Sequence, residues 1–211
     1  MKLLSRRACT IAAAVLALAA SAPALAAPQP FMGDAAVLGN AKAPITVVEY
    51  ASASCPHCAR FNNEVFPAFK AKYIDTGKVH YEFRELLTEP QDFAAAGFLT
   101  ARCAGQANYL GVVDAIFHDQ QKMYESGDLI GGLQAIGARF GLSKADMDAC
   151  LRDPKAVKAL QARVESAEKA GVESTPTFFI NGKKLEGEQS LGDLMLVIEP
   201  MLARINAGGA G

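Results

Sequence analysis

The sequence predicts an α/β domain interrupted by an all-helical insertion. A β-branched, nearly continuous apolar run at residues 45–50 is followed by helical spacing and a second β-rich run at 79–83. Apolar residues then recur with helical period from Pro90 to about Ala170, after which a hairpin signal and a last amphipathic stretch close the chain. With 211 residues, 51% apolar and 20% charged, the chain belongs with folded proteins of one or two domains, not disordered, collagen-like or coiled-coil ones. Lys and Arg number 21 against 22 acids, so no basic excess exists to neutralise a phosphate backbone, and nucleic-acid binding is not expected.

Residues 1–26 have the form of a secretory signal peptide. Lys2, Arg6 and Arg7 supply the positive start, Ala8 to Ala20 the apolar run, and Ala24, Leu25 and Ala26 the small-residue cleavage signal. The run is shorter than the roughly 20 residues a spanning helix needs and stops at Ser21 and Pro23, and no later run is long enough to span. Ala8, Cys9 and Thr10 match the twin-arginine signal poorly, so the general export route and a periplasmic protein are expected. Five cysteines cannot all pair internally, but cleavage removes Cys9 and leaves Cys55, Cys58, Cys103 and Cys150, an even set bound for an oxidising compartment.

Residues 27–43, with Pro28, Pro30, Gly33 and Gly39, form a mostly irregular lead-in, and the folded domain starts near Pro44. Residues 45–50 suit a strand buried on both faces. Phe61, Val65, Phe66 and Phe69 keep helical spacing, with Pro67 expected to kink that helix by removing the bond to the Asn63 carbonyl. Val79 to Phe83 is the next strand, and strand, helix, strand implies a right-handed parallel unit. The block from 89 to 170 carries Tyr109, Val112, Val113, Ile116; Leu129, Leu133, Ile136, Phe140; and Val157, Leu160, Val164, with Ser143 and Asp146 as a capping box. Thr177 to Ile180, then Asn181-Gly182, then Lys183 to Glu186 make a hairpin with a type I′ turn. Ser190 and Asp193 cap a final helix that buries Leu191, Leu194, Ile198, Leu202 and Ile205. The α/β domain is therefore expected over 44–88 and 171–211, and the insertion over 89–170.

Cys55, Pro56, His57 and Cys58 stand where the first long strand gives way to a helix. With Cys55 as N-cap, Pro56 falls where its missing N–H costs little, and the amides of His57 and Cys58 point back at the Cys55 sulfur. That arrangement favours a thiolate, and a protonated or donating His57 adds to it. A stabilised thiolate stabilises the reduced form, so the Cys55–Cys58 disulfide is expected to be an oxidant. A zinc site would need a second close pair of ligands, whereas Cys103 and Cys150 are 47 residues apart and His80 and His118 lack partner spacing, so no metal is expected. Glu49, six residues before Cys55, is either a buried acid able to take the Cys58 proton or a strand-end glutamate reaching solvent. The Thr175-Pro176 bond is trans by frequency alone.

These features together resemble the DsbA-type thiol-disulfide oxidoreductases of the thioredoxin superfamily. The resemblance covers essentially the whole chain after residue 26 and rests on Cys-Pro-His-Cys at 55–58, on Glu49, on Thr-Pro-Thr-Phe-Phe-Ile-Asn-Gly at 175–182, and on the helical insertion between them. It implies a thioredoxin fold with an inserted helical domain, Pro176 cis beside the cysteines, Thr175 offering backbone groups to substrate, and Glu49 as the buried acid. Two features depart from the enteric prototype: Thr175 replaces its valine, as in isomerase branches, and Cys103 with Cys150 has no counterpart there. A bridge between these two would be a structural disulfide worth about 2–4 kcal/mol, and buried free thiols are its alternative.

The expected activity is insertion of disulfides into unfolded or partly folded exported proteins with free thiols. No organic cofactor is expected, a membrane quinone-linked partner of the DsbB kind would reoxidise the pair, and the protein is expected to be a monomer. The alternatives are an isomerase or reductase using the same cysteines, or a peptide-binding chaperone in which they are structural.

Overall fold

The computed structural model describes residues 28–208, so the signal-peptide segment lies outside the described residues. Two strands, β1 (Ala36–Leu38) and β2 (Ile45–Ala51), precede a helical run from Pro56 to Ile74, and β3 (Val79–Glu85) follows it. The insertion comprises α3 (Gln91–Cys103), α4 (Tyr109–Ser126), α5 (Leu129–Arg139), α6 (Lys144–Leu151) and α7 (Pro154–Lys169), numbered after two short α-segments of the first run, α1 (Pro56–Arg60) and α2 (Phe66–Phe69). Strands β4 (Thr177–Ile180) and β5 (Lys183–Glu186) and helix α8 (Leu191–Gly208) complete the chain. The sheet order is β1-β3-β2-β4-β5. Among the described residues only the β2–β3 pair is parallel, with Val47 opposite Tyr81 and Glu49 opposite Phe83. This is a thioredoxin-like sheet with a helical insertion between β3 and β4.

Local chemistry explains most of these elements. Asn181 (φ 45°) and Gly182 (φ 85°) give the hairpin its type I′ turn, since both central positions require positive φ. Capping boxes close at Ser143 with Asp146 and at Ser190 with Asp193, each hydroxyl accepting from the N3 amide. Pro67 cannot bond the Asn63 carbonyl, and the ladder widens before it into a π-helical turn over Phe61–Val65 in which the Phe66 N–H reaches back to the Phe61 carbonyl.

Three expectations are corrected, on where the fold begins and on the exposure of Ile205 and Val157. In the mostly irregular lead-in, Ala36–Leu38 adds an antiparallel edge strand to β3, too short to show a period of two. Upstream of it, Phe31 is buried edge-on against Tyr109 with its N–H on the Arg102 carbonyl, so the ordered fold begins well before Pro44. Ile205 is exposed, as are all residues from 203 to 208, because the last turns of α8 have no core left to cover. Val157, in the α7 apolar row, is likewise exposed.

A buried charge cluster joins the insertion to the sheet. Glu85, at the end of β3, accepts from Arg102 Nε at 2.7 Å, the Tyr109 hydroxyl at 2.8 Å and Arg163 Nε at 2.6 Å. Arg102 also lies over the Phe31 and Tyr109 rings and donates to the Phe31 and Gly33 carbonyls. One carboxylate thus binds α3, α4 and α7. Removing one partner of such a cluster leaves an uncompensated buried charge, so Glu85→Leu is expected to cost about 3–5 kcal/mol of stability, read from the denaturant midpoint.

Candidate active site

Strand β2 runs out at Ala51, and residues 52–54 turn the chain into the active-site helix. Cys55 is the N-cap, with extended torsions (φ −80°, ψ 118°), and Pro56 occupies the first helical position. The Cys58 N–H lies 3.4 Å from Cys55 Sγ, and the Cys55 thiol reaches the Thr175 carbonyl at 3.3 Å. The Thr175-Pro176 bond is cis, which places that carbonyl beside the cysteine. Both cysteines are free thiols here.

The environment splits the two thiols. Hydrogen bonding from the Cys58 thiol, assisted by the Cys58 and His57 amides, outweighs burial and brings Cys55 down to about 6. Burial pushes Cys58 well above its ordinary value, and the charges of Cys55 and Glu49 push the same way. Glu49 is 2% exposed on β2 and accepts from the Tyr81 hydroxyl at 2.5 Å. Burial raises its carboxyl to about 8 despite that bond, with the Cys55 charge adding to the rise. Glu49 is therefore buried and does not reach solvent at a strand end.

Cys55 is 6% exposed and Cys58 fully buried. One placement differs from expectation. The His57 ring turns outward, as the N2 position of a helix directs it, and its Nδ1 sits 3.0 Å from Glu188 Oε2 and 3.0 Å from an Arg60 guanidinium nitrogen. The Arg60 Nε is 3.0 Å from the other Glu188 oxygen. It is the His57 amide, not its ring, that serves the Cys55 sulfur. Cys103 and Cys150 are joined as a disulfide, with their Cα atoms 6.3 Å apart, linking the end of α3 to α6 and away from the Cys55–Cys58 pair. The Thr175 hydroxyl is buried without a partner among the described residues.

Several residues of the site carry no sequence signal. Tyr81 is two positions from Glu49's strand partner and could have been found from the register alone, but Glu188 and the α4 side chains below reach the site across long stretches of chain. A groove of about 590 Å³ lies between α3, α6 and α7, apart from the cysteines.

The thioredoxin family profile matches residues 32–200. The crystal structure of alpha-DsbA1 from Wolbachia pipientis is 30% identical, superposes with a TM-score of 0.74, and covers 86% of this chain and 96% of its own. The chain belongs to the DsbA-like branch of the thioredoxin superfamily. A putative protein-disulfide oxidoreductase of Rickettsia typhi is 40% identical over 152 residues, 71% of this chain and 56% of that protein. Disulfide bond formation protein D of Bacillus subtilis is 26% identical over 188 residues, 82% of this chain and 80% of that one. The chain thus spans a little over half the length of its Rickettsia relatives. No helix among the described residues of this DsbA-like chain is long and apolar enough to cross a membrane.

Proposed function

We propose that the protein is a thiol-disulfide oxidoreductase that introduces disulfides into exported proteins through Cys55 and Cys58. The observation that carries this is the asymmetry of the pair, with Cys55 near 6 and Cys58 well above the ordinary thiol range. A substrate thiolate attacks Cys55 Sγ of the oxidised enzyme, and the bond to Cys58 breaks with its electron pair on Cys58 Sγ. Glu49, neutral at pH 7 because it titrates near 8, gives its proton to that sulfur. A second substrate thiolate then attacks the substrate sulfur of the mixed disulfide and expels Cys55, a good leaving group because its thiolate is stabilised. The substrate leaves oxidised, the enzyme keeps both electrons as the dithiol, and run backwards the same carboxylate takes the Cys58 proton.

Pro56 sets the helix start, and the Thr175-Pro176 edge holds the substrate segment in this proposal. Cys103 and Cys150 brace the insertion as a structural bridge. Reoxidation falls to a membrane quinone-linked partner of the DsbB kind, in the periplasm. Assays of reduced and of scrambled ribonuclease side by side separate oxidation from isomerisation. Rapid oxidation of the reduced protein with poor rescue of the scrambled one is expected, and efficient rescue with slow oxidation would overturn the oxidase direction.

A further inference from the structure

The loop before Cys55 is held by the inserted domain. Gln120 of α4, 3% exposed, donates its Nε2 to the Ala53 carbonyl at 2.8 Å and to the Cys55 carbonyl at 3.3 Å. One helical turn on, the Tyr124 hydroxyl donates to the Ser54 carbonyl at 2.9 Å. Two side chains spaced i, i+4 on one helix face therefore hold three consecutive carbonyls, ending at the redox cysteine. The other flank of the loop is fixed by the 86–90 segment, where Ser54 Oγ donates to the Thr88 carbonyl at 2.8 Å and the Thr88 N–H donates to Ser52 Oγ at 3.1 Å.

We infer that Gln120 and Tyr124 are positioning residues that keep the Cys55 sulfur against the amides of the active-site helix, which makes the helical insertion part of the redox machinery. A buried amide side chain is costly unless its hydrogen bonds are made, so a glutamine at 3% exposure is not there as packing. Its bonds draw the carbonyl ends of residues 53 and 55 toward α4. The torsions of Cys55 are fixed in consequence, and the Cys58 N–H and the Thr175 carbonyl remain the contacts of its sulfur. With the Gln120 donor removed, the Ala53 carbonyl loses its side-chain partner, the loop relaxes, and the sulfur drifts from the amides that stabilise its charge. Tyr124 is close enough to feel that charge, which after burial is what raises its hydroxyl.

The inference rests on the exchange function proposed above, but its test does not need a protein substrate. Gln120→Met keeps length and apolar bulk while deleting the donor, and Tyr124→Phe deletes one hydroxyl at a half-buried position, where folding is retained. The thiolate absorbance of each reduced variant is titrated with pH, the Cys55–Cys58 equilibrium is measured against a reference dithiol, and denaturant midpoints are taken for both redox forms. Gln120→Met is expected to raise the Cys55 pKa by about one unit and to make the pair about tenfold less oxidising, with Tyr124→Phe shifting both in the same direction by less. An unchanged titration and equilibrium, with both redox forms losing equal stability, would show a purely structural bond and overturn the inference. If Gln120→Met does not fold, an unshifted Tyr124→Phe overturns it alone. A wild-type protein that titrates as described but fails to oxidise reduced ribonuclease would instead count against the proposed function.

Discussion

Cys55→Ala is expected to abolish thiol exchange, by about 10³-fold or more, with the fold and the Cys103–Cys150 pair retained. Cys58 cannot take over, because burial holds its thiol far above neutral pH and leaves it almost wholly protonated. Cys58→Ala is expected to behave differently: it cannot form the oxidising disulfide, but its Cys55 thiolate still attacks a substrate that already carries a disulfide, expelling one substrate thiolate and accumulating a mixed disulfide that no second enzyme thiol can resolve. Alkylation of Cys55 in the reduced protein should rise with pH through a midpoint near 6, as the thiolate fraction rises. Enzyme turnover and alkylation rates measure these outcomes. A peptide-binding chaperone with structural cysteines would keep its activity in the Cys55→Ala variant, so retention of function there would refute the redox account.

Glu49→Gln is expected to stabilise the protein at neutral pH and to slow it as an enzyme. The carboxyl titrates near 8 in the fold against 4.5 for its ordinary value. A raised carboxyl contributes full stability below the unfolded value and loses it progressively as pH climbs from 4.5 toward 8, because the folded state resists the charge. At pH 7 the native Glu49 therefore costs on the order of 3 kcal/mol, which a neutral amide avoids. Tyr81 can still donate to the amide oxygen, so the packing of β2 on β3 is preserved. The gain should vanish below pH 4.5, where the carboxyl is protonated in both states. Exchange should fall by about 10²-fold, since the amide cannot hand a proton to the departing Cys58 sulfur. Urea midpoints across pH and stopped-flow oxidation rates check the two effects, and a pH-independent stability difference would contradict the assignment.

What the sequence made legible follows the range of the interactions. The junction at Cys55 to Cys58 is local chemistry, an N-cap followed by a proline, and it needs only neighbours in the chain. The hairpin at Asn181-Gly182 and the two capping boxes are local in the same sense. Glu49 was ambiguous because its burial depends on which strands flank β2, and only the pairing with β3, which brings Tyr81 to the carboxyl, decides it. Strand β1 escaped because three residues on a sheet edge have no period, and Phe31 because its anchor, Arg102, lies 71 residues away. Gln120 and Tyr124 look like ordinary polar positions on an amphipathic helix, and their contacts with residues 53–55 span 65 residues or more. The cis Thr175-Pro176 bond came from family resemblance, since the residues themselves favour trans.

The asymmetry of the cysteines has a thermodynamic consequence in the reduced protein. Cys55 falls from 9.0 to about 6 on folding, so its thiolate adds stability that is complete above pH 9, shrinks as pH falls toward 6, and is on the order of 1 kcal/mol at pH 7. The oxidised protein has no such contribution, so under the proposed function the pair is expected to accept electrons readily. The reduction potential of the Cys55–Cys58 couple at pH 7 tests this most directly. The account predicts a value above about −180 mV, on the side of DsbA near −120 mV, whereas a value at or below the −270 mV or so of thioredoxin would contradict it.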